Sequence, residues 1–254
     1  MNRKVIYTCL TGGYDRLEQP VAVAPDWDYV CFTDAEGQDG VWQLRKIPFE
    51  SPDPVVRSRY PKILPHKVLP EYKYSVYMDA NLCIMDAEFY CIADRLIVEA
   101  VSFAQVEHPE RDCVYEELRY CYLKDKVGTR TAFRLHRQWT AMGFPRHAGL
   151  YENNILYREH DLDEVQALDE AWWKAVSAGV PRDQLCLMPV FLRHGIHHPA
   201  LLLGKGLNAR NVPYLKYTLH PPTGKENTPG RVTWGNLVYH VRLGWRKLML
   251  RFLK

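Results

Sequence analysis

The stretch YSVYMDANLCI, residues 74–84, restricts the fold more than any other part of the chain. Tyr74, Val76, Tyr77 and Met78 are apolar or β-prone and read as a buried strand. Asp79 and Asn81 then break the run around Ala80, and Leu82, Cys83 and Ile84 resume it. On a strand, residues i and i+2 point to the same side. At the carboxyl end of a strand in an α/β sheet, that side faces the ligand crevice. Turn chemistry is the other reading of an Asp-Ala-Asn step.

The flanking segments agree with an α/β sheet. KVIYTCL (4–10), DYVCFTD (28–34) and VWQLRKI (41–47) read as short strands, with a TGGYD turn after the first. Residues 51–70 carry Arg57, Arg59, Lys62 and Lys67 and are only partly helical, because Pro54, Pro61, Pro65 and Pro70 interrupt them. Helical spacing of apolar residues returns over 86–100 and in two segments between 114 and 144. SFAQVEHP and LYENNILYR are further strands, and 161–179 is a helix that Asp161 can cap and Gly179 can end. RDQLCLMPVFLRHG is an apolar segment opened by a charged pair, and after about residue 204 the pattern weakens.

With 254 residues, 47% of them hydrophobic, the chain can build one large core. No run of about 18 apolar residues predicts a membrane span, and MNRKVIYTCL reads as a first strand, not a signal peptide. Seven scattered cysteines without a CxxC pair point to cytosolic free thiols and away from a disulfide frame or zinc site. The common serine-hydrolase, P-loop and zincin motifs do not occur. Residues 240–254 hold five basic side chains and no acid, while the whole chain carries only +3, so the remainder is at −2. That body is not a dedicated nucleic-acid binder. The tail places Val241, Trp245, Leu248, Met249 and Phe252 on one helical face. This pattern suits an anionic membrane surface, or a helix docked on the domain with a solvated basic face.

Two hard oxygen donors such as Asp79 and Asn81 suit Mg²⁺ or Mn²⁺ held together with diphosphate oxygens. The run SRYPKILPHKVLPEYKYSVYMDANLCI resembles the approach to the metal site of GT-A glycosyltransferases, with Asn81 where the wider superfamily has a second Asp. More narrowly, YTCLTGGYD, DYVCFTD, SRYPK, LPHKVLPEY, MDAN, EHPERDCVYEE, GFPRHAGLYENNILYREH and RDQL resemble, in order, the glycosyltransferase-like domain named after the plant TOD and MUCI proteins. The resemblance covers roughly three quarters of the chain, from residue 7 to about 195.

The resemblance implies a GT-A-type α/β domain over residues 1–204, a mostly parallel central sheet flanked by helices, followed by a C-terminal extension, 205–254, with a basic amphipathic helix. It implies a nucleotide-sugar donor, a UDP-sugar favoured, and a glycan or lipid-linked acceptor, as in cell-surface polysaccharide synthesis. Thr8, Thr11, Gly12 and Tyr14 would hold base and ribose, with Asp34 beside them, and glycine there lets backbone approach a ligand. Arg59 and Lys62 would meet diphosphate oxygens, the first as a fork and the second as a point charge. Asp79 and Asn81 would bind Mn²⁺ or Mg²⁺, with His198, from the cluster His194, His197 and His198, as third ligand; a loop-surface cluster is the plainer reading of these histidines. Asp183 and Gln184 resemble the "DQ" pair beside the reacting sugar of retaining enzymes, and a helix N-cap is the plainer role for Asp183. Glu152 and Asn153 would line the acceptor or donor-sugar pocket, and His108 with Arg111 would form a second polar patch. A cytoplasmic protein, peripheral on the inner face of the membrane, is expected. Two rivals remain: a nucleotidyltransferase on a related fold, and a non-catalytic nucleotide- or carbohydrate-binding protein.

Overall fold

The computed structural model describes residues 3–12, 16–180, 182–219 and 243–252. The β-prone run at the N-terminus is strand β1 (Lys4–Cys9), followed by β2 (Trp27–Thr33), β3 (Gly37–Asp39) and β4 (Trp42–Lys46). The basic, proline-rich segment folds as helices α1 (Pro54–Ile63) and α2 (Pro65–Val68). Asp53 caps α1 by accepting from the Val55 N–H at 2.8 Å, and Pro54 stands in the first turn, where its missing N–H costs nothing.

The run YSVYMDANLCI becomes β5 (Tyr74–Met78) and β6 (Leu82–Ile84), with Asp79, Ala80 and Asn81 between them. Then come α3 (Glu88–Val98), β7 (Phe103–Glu107), α4 (Val114–Leu123), α5 (Thr129–Ala141), β8 (Tyr151–Glu159), α6 (Asp163–Ser177), α7 (Gln184–Arg193), β9 (Ala200–Leu201) and β10 (Leu215–Tyr217). Helix α6 starts with Leu162 in the cap position, so Asp161 does not cap it, while Gly179, at φ +85°, follows its end as expected.

Eight strands form one sheet in the order β3-β4-β2-β1-β5-β8-β7-β9. The pairs β1–β2, β1–β5, β2–β4 and β7–β9 are parallel, and β3–β4, β5–β8 and β7–β8 antiparallel. From β1 the chain steps outward through β2 to β4, then returns through α1 and α2 to lay β5 on the other side of β1. That reversal makes a crevice at the carboxyl ends of β1 and β5, the place where open α/β sheets bind ligands.

Strand alternation splits the core between the two sheet faces. Val5, Tyr7 and Tyr77 join one buried cluster with Leu156, Trp172 and Phe191. Ile6, Val76 and Met78 join the other with Phe89, Tyr157 and Leu202. Both faces are covered, which is why the strands read as nearly continuous apolar runs.

The boundary expected at residue 204 moves. Strand β10 pairs antiparallel with β6, and Ala209, Val212, Tyr214 and Leu215 are buried in the second cluster. This segment adds single apolar residues to a core built elsewhere, so its own pattern is weak. Residues 243–249 form a tail helix that docks on the main body. Arg246 bonds the carbonyls of Tyr122 and Val127 and pairs with Asp125, and Met249 and Leu250 pack on the first core cluster. The single apolar face expected of the tail is therefore divided: Met249 turns inward, while Trp245 and Leu248 remain 57% and 48% exposed. Val241 lies outside the described residues. No described helix is long and apolar enough to cross a membrane.

Candidate functional site

A cleft of about 1050 Å³ opens where the strand order reverses. Its floor is the end of β1, with Thr11 and Gly12, and the end of β5, with Asp79, Ala80 and Asn81. Helix α1 supplies Arg59 and Lys62, β8 supplies Glu152, Asn153 and Asn154, and the start of α7 supplies Asp183 and Gln184. The sequence separates these groups by more than 170 residues; the topology brings them to one edge of the sheet.

At the centre, Lys62 Nζ lies 3.2 Å from Asp183 Oδ2 and 3.4 Å from Asp79 Oδ1, while Arg59 reaches Asp183 Oδ1 at 3.8 Å. Tyr77 donates its hydroxyl to Asp79 Oδ1 at 2.9 Å. Burial pushes the Asp183 carboxyl up, but Lys62, then Arg59 and Arg182, outweigh it and hold the group well below the usual carboxylate range. Burial and then Asp79 raise the Tyr77 phenol, which stays protonated and keeps donating. Asp183 occupies the cap position of α7 yet makes no capping hydrogen bond and has helical dihedrals. Its side chain is turned to the cations, so the N-cap role fails.

Three cations, Arg59, Lys62 and Arg182, thus line the cleft around two carboxylates, Asp79 and Asp183. Arg182 makes no ion pair among the described residues, and its Nε is buried without a hydrogen-bond partner. It stands beside Asp183 in RDQL, where the motif itself could have flagged it. Glu152 is held by Arg210 at 2.8 and 3.0 Å and by the Asn154 amide at 3.1 Å. Gln184 is committed to the Tyr151 carbonyl at 2.8 Å, which ties α7 to β8. The buried Asn153 accepts from Gln105 at 2.8 Å, and its Nδ2 has no partner. Arg210 had no legible signal, because it belongs to the weakly patterned segment after residue 204.

The nucleotide end is only partly assembled. Thr11 donates to the Pro54 carbonyl at 3.2 Å, and Gly12, at φ +64°, places its N–H 3.4 Å from Asp34 Oδ2. Asp34 pairs with Arg57 at the edge and does not line the cleft. Thr8 is buried and lines a separate small cavity behind Asp79, its hydroxyl unpartnered. Tyr14 lies outside the described residues.

Two histidine expectations divide. His108 and Arg111 do line the cleft: Arg111 Nε bonds buried Glu117 at 2.7 Å and stacks 4.3 Å from the Tyr120 ring centroid. His198 is exposed and does not line the cleft. It precedes β9, which runs parallel to β7, so it lies at the amino edge of the sheet while the cleft opens at the carboxyl edge.

Among the described residues no three His, Cys, Asp or Glu side chains are grouped to cage a metal. The donors at the cleft still suit a hard divalent cation completed by phosphate oxygens, since such ions are commonly held by one or two carboxylates plus substrate. Asp79 offers the carboxylate. Asn81 gives its Nδ2 to the Thr218 carbonyl at 2.9 Å, which fixes its amide and leaves the oxygen end as acceptor.

Among known proteins, the chain is 21% identical over 227 residues to alkaline ceramidase TOD1 of Arabidopsis thaliana, across 76% of this chain and 48% of that one, so it spans about half the length of that curated relative. Among solved structures, it is similar to the apo structure of the bifunctional glycosyltransferase WbbM, at 9% identity and a TM-score of 0.42, over 74% of this chain and 37% of the other. Residues 2–200 match the TOD1/MUCI70, glycosyltransferase-like domain, and the chain belongs to that family.

Proposed function

We propose that this chain transfers a sugar from a nucleotide-sugar, UDP the favoured nucleotide, to a glycan or lipid-linked acceptor. The observation that carries the reading is the convergence of Arg59 and Lys62 on Asp183 and Asp79, with Arg182 lining the same cleft, at the strand-order reversal. Cations in excess, partly desolvated and at the carboxyl edge of an α/β sheet, fit a diphosphate.

In this reading Arg59, Lys62 and Arg182 grip the diphosphate and stabilise the charge that develops on it as the glycosidic bond breaks. Asp183, ionised and fixed by the same cations, faces the sugar and steadies positive charge at the anomeric carbon. Asn153, with an unpartnered buried N–H₂, reads a sugar hydroxyl. Asp79 and Asn81 would hold Mg²⁺ or Mn²⁺, which when bound offsets leaving-group charge.

A screen of nucleotides and nucleotide-sugars by thermal shift, with and without Mn²⁺, followed by turnover assays, tests this. The expected result is stabilisation by one nucleoside diphosphate and its sugar ester, and slow release of the diphosphate from the ester. Stabilisation without turnover of any ester, with or without acceptors, would leave a binding protein. Release of fatty acid from ceramide, the activity that the relative's name carries, would replace sugar transfer altogether.

A further inference from the structure

The tail helix and the loop it grips form a surface that the cleft chemistry does not use. Arg246 locks the helix to the loop after α4 through the Tyr122 and Val127 carbonyls and Asp125. In doing so it neutralises the one acid in the sequence Lys124-Asp125-Lys126. Lys124 and Lys126 are exposed and make no salt bridge among the described residues; their ammonium groups lie 5.8 and 5.7 Å from the Tyr120 ring centroid. Lys126 and Tyr120 also line the cleft. The basic loop is therefore both the mooring of the tail and a rim of the site.

On the tail, Lys247 and Arg251 are exposed and likewise make no salt bridge among the described residues. On the same exposed side of the helix stand Trp245 and Leu248, one helical turn apart and about half exposed. A Trp–Leu pair flanked by basic side chains has the composition of a helix seated in the interface of an anionic bilayer. A protein partner would cover the apolar pair equally well but would need acids to match four cations; anionic headgroups supply that charge everywhere on the surface.

We infer that Trp245, Leu248, Lys247 and Arg251 of the tail, with Lys124 and Lys126 of the α4–α5 loop, form one patch that seats this chain on an anionic lipid surface, with the cleft rim beside it. The role of the patch in presenting a lipid-linked acceptor rests on the sugar-transfer reading; the binding itself does not.

Cosedimentation of the full chain with phosphatidylglycerol–phosphatidylcholine vesicles, against vesicles of phosphatidylcholine alone, tests it. Binding should require the anionic lipid and weaken roughly tenfold or more between low and half-molar salt, because exposed charges are screened. Trp245→Ser with Leu248→Ser, and separately Lys247→Glu with Arg251→Glu, should each cut binding at least tenfold with melting unchanged. Lys124→Glu, outside the tail, should cut it several-fold. Absence of vesicle binding, equal binding to neutral vesicles, or a dimer that the Trp245/Leu248 variant dissolves without any lipid affinity would each overturn the inference. Full effect of the tail variants with none from Lys124→Glu would overturn the joint patch. Nucleotide binding by the same variants is measured in parallel; its loss or retention reports on the cleft reading alone.

Discussion

Two ionic clusters meet at Lys62, and they are built to opposite plans. Its backbone carbonyl faces the core. There Arg158 and Asp169, both fully buried, stand 3.2 Å apart, and Arg158 Nη1 donates at 2.9 Å to the Lys62 carbonyl and to the Tyr7 hydroxyl. That carbonyl lies in the last turn of α1, where helices leave acceptors unmet, and the chain continues into Pro65, which has no N–H to offer. Lys62's ammonium faces the other way, into the cleft, between Asp79 and Asp183. The core cluster is closed, one cation to one acid. The cleft cluster is open, with three cations to two acids. The first specifies where α1 sits; the second has charge left over for a ligand.

The largest expected effect comes from breaking the closed cluster on one side. Arg158→Met leaves Asp169 buried without its cation, and removing one partner of a buried pair costs about 3–5 kcal/mol. Urea unfolding should show a loss in that range. Lys62→Met in the cleft should cost far less stability, since Asp183 keeps Arg59 and Asp79 keeps the Tyr77 hydroxyl, yet it should weaken diphosphate binding, which would then rest on Arg59 and Arg182. A similar stability loss in both variants would erase the distinction between the clusters.

Next come the two acids of the open cluster. Asp183→Asn keeps the size of the side chain and removes its charge, so turnover should fall ~100-fold or more, equivalent to about 2.7 kcal/mol of transition-state stabilisation, while nucleoside diphosphate affinity stays within a few-fold. Near-normal turnover would remove Asp183 from the reacting site. Asp79→Ala should lose Mn²⁺-dependent nucleotide binding with little change in melting, because the carboxylate is partly exposed. Unchanged Mn²⁺ dependence would take the metal away from Asp79.

The open cluster was more legible in the sequence than the closed one. Asp79, Asn81 and Asp183 stand out because polar residues interrupt or abut apolar runs, and Arg59 and Lys62 because a basic stretch precedes the strand. Such interruptions are costly in a core and so announce a site. Arg158 and Asp169 sit within a strand and a helix whose periodicity they barely disturb; only the tertiary pairing shows that they are buried together. Arg210 and β10 were hidden for a related reason, since their order derives from partners far away in the chain. The third metal ligand misled because a cluster of histidines says nothing about which edge of a sheet it occupies.

The clusters should also titrate in opposite directions. Burial pushes the Asp169 carboxyl up to about 7 in spite of Arg158. The folded state then binds more protons than the unfolded state between the ordinary value of 3.8 and about 7, so this group makes stability fall as pH rises through that window. Asp183 is held below its ordinary value of 3.8, so its contribution is present above that pH and is lost as the solution is acidified beneath it. Urea unfolding of the parent and of Asp169→Asn between pH 4 and 7 separates the two. The Asn variant should lose the downward slope; an identical slope in both would assign it elsewhere.

The smallest effect is expected from replacing both core charges at once. Arg158→Met with Asp169→Leu removes the desolvation cost along with the attraction, and volume-matched apolar replacement of a buried pair is commonly neutral or stabilising. Stability should therefore change little or rise. The Lys62 carbonyl would keep the Tyr7 hydroxyl, 3.1 Å away, as its one donor from the core. If the closed cluster serves only to fill space, turnover of the double variant should match the parent. If Arg158 fixes the last turn of α1 and thereby the reach of Lys62, turnover should fall a few-fold in a stable protein, with kcat affected more than KM because the diphosphate would still find Arg59 and Arg182. Adding Tyr7→Phe would then remove the remaining donor and deepen the loss, whereas an additive change in stability alone would confine the pair to packing.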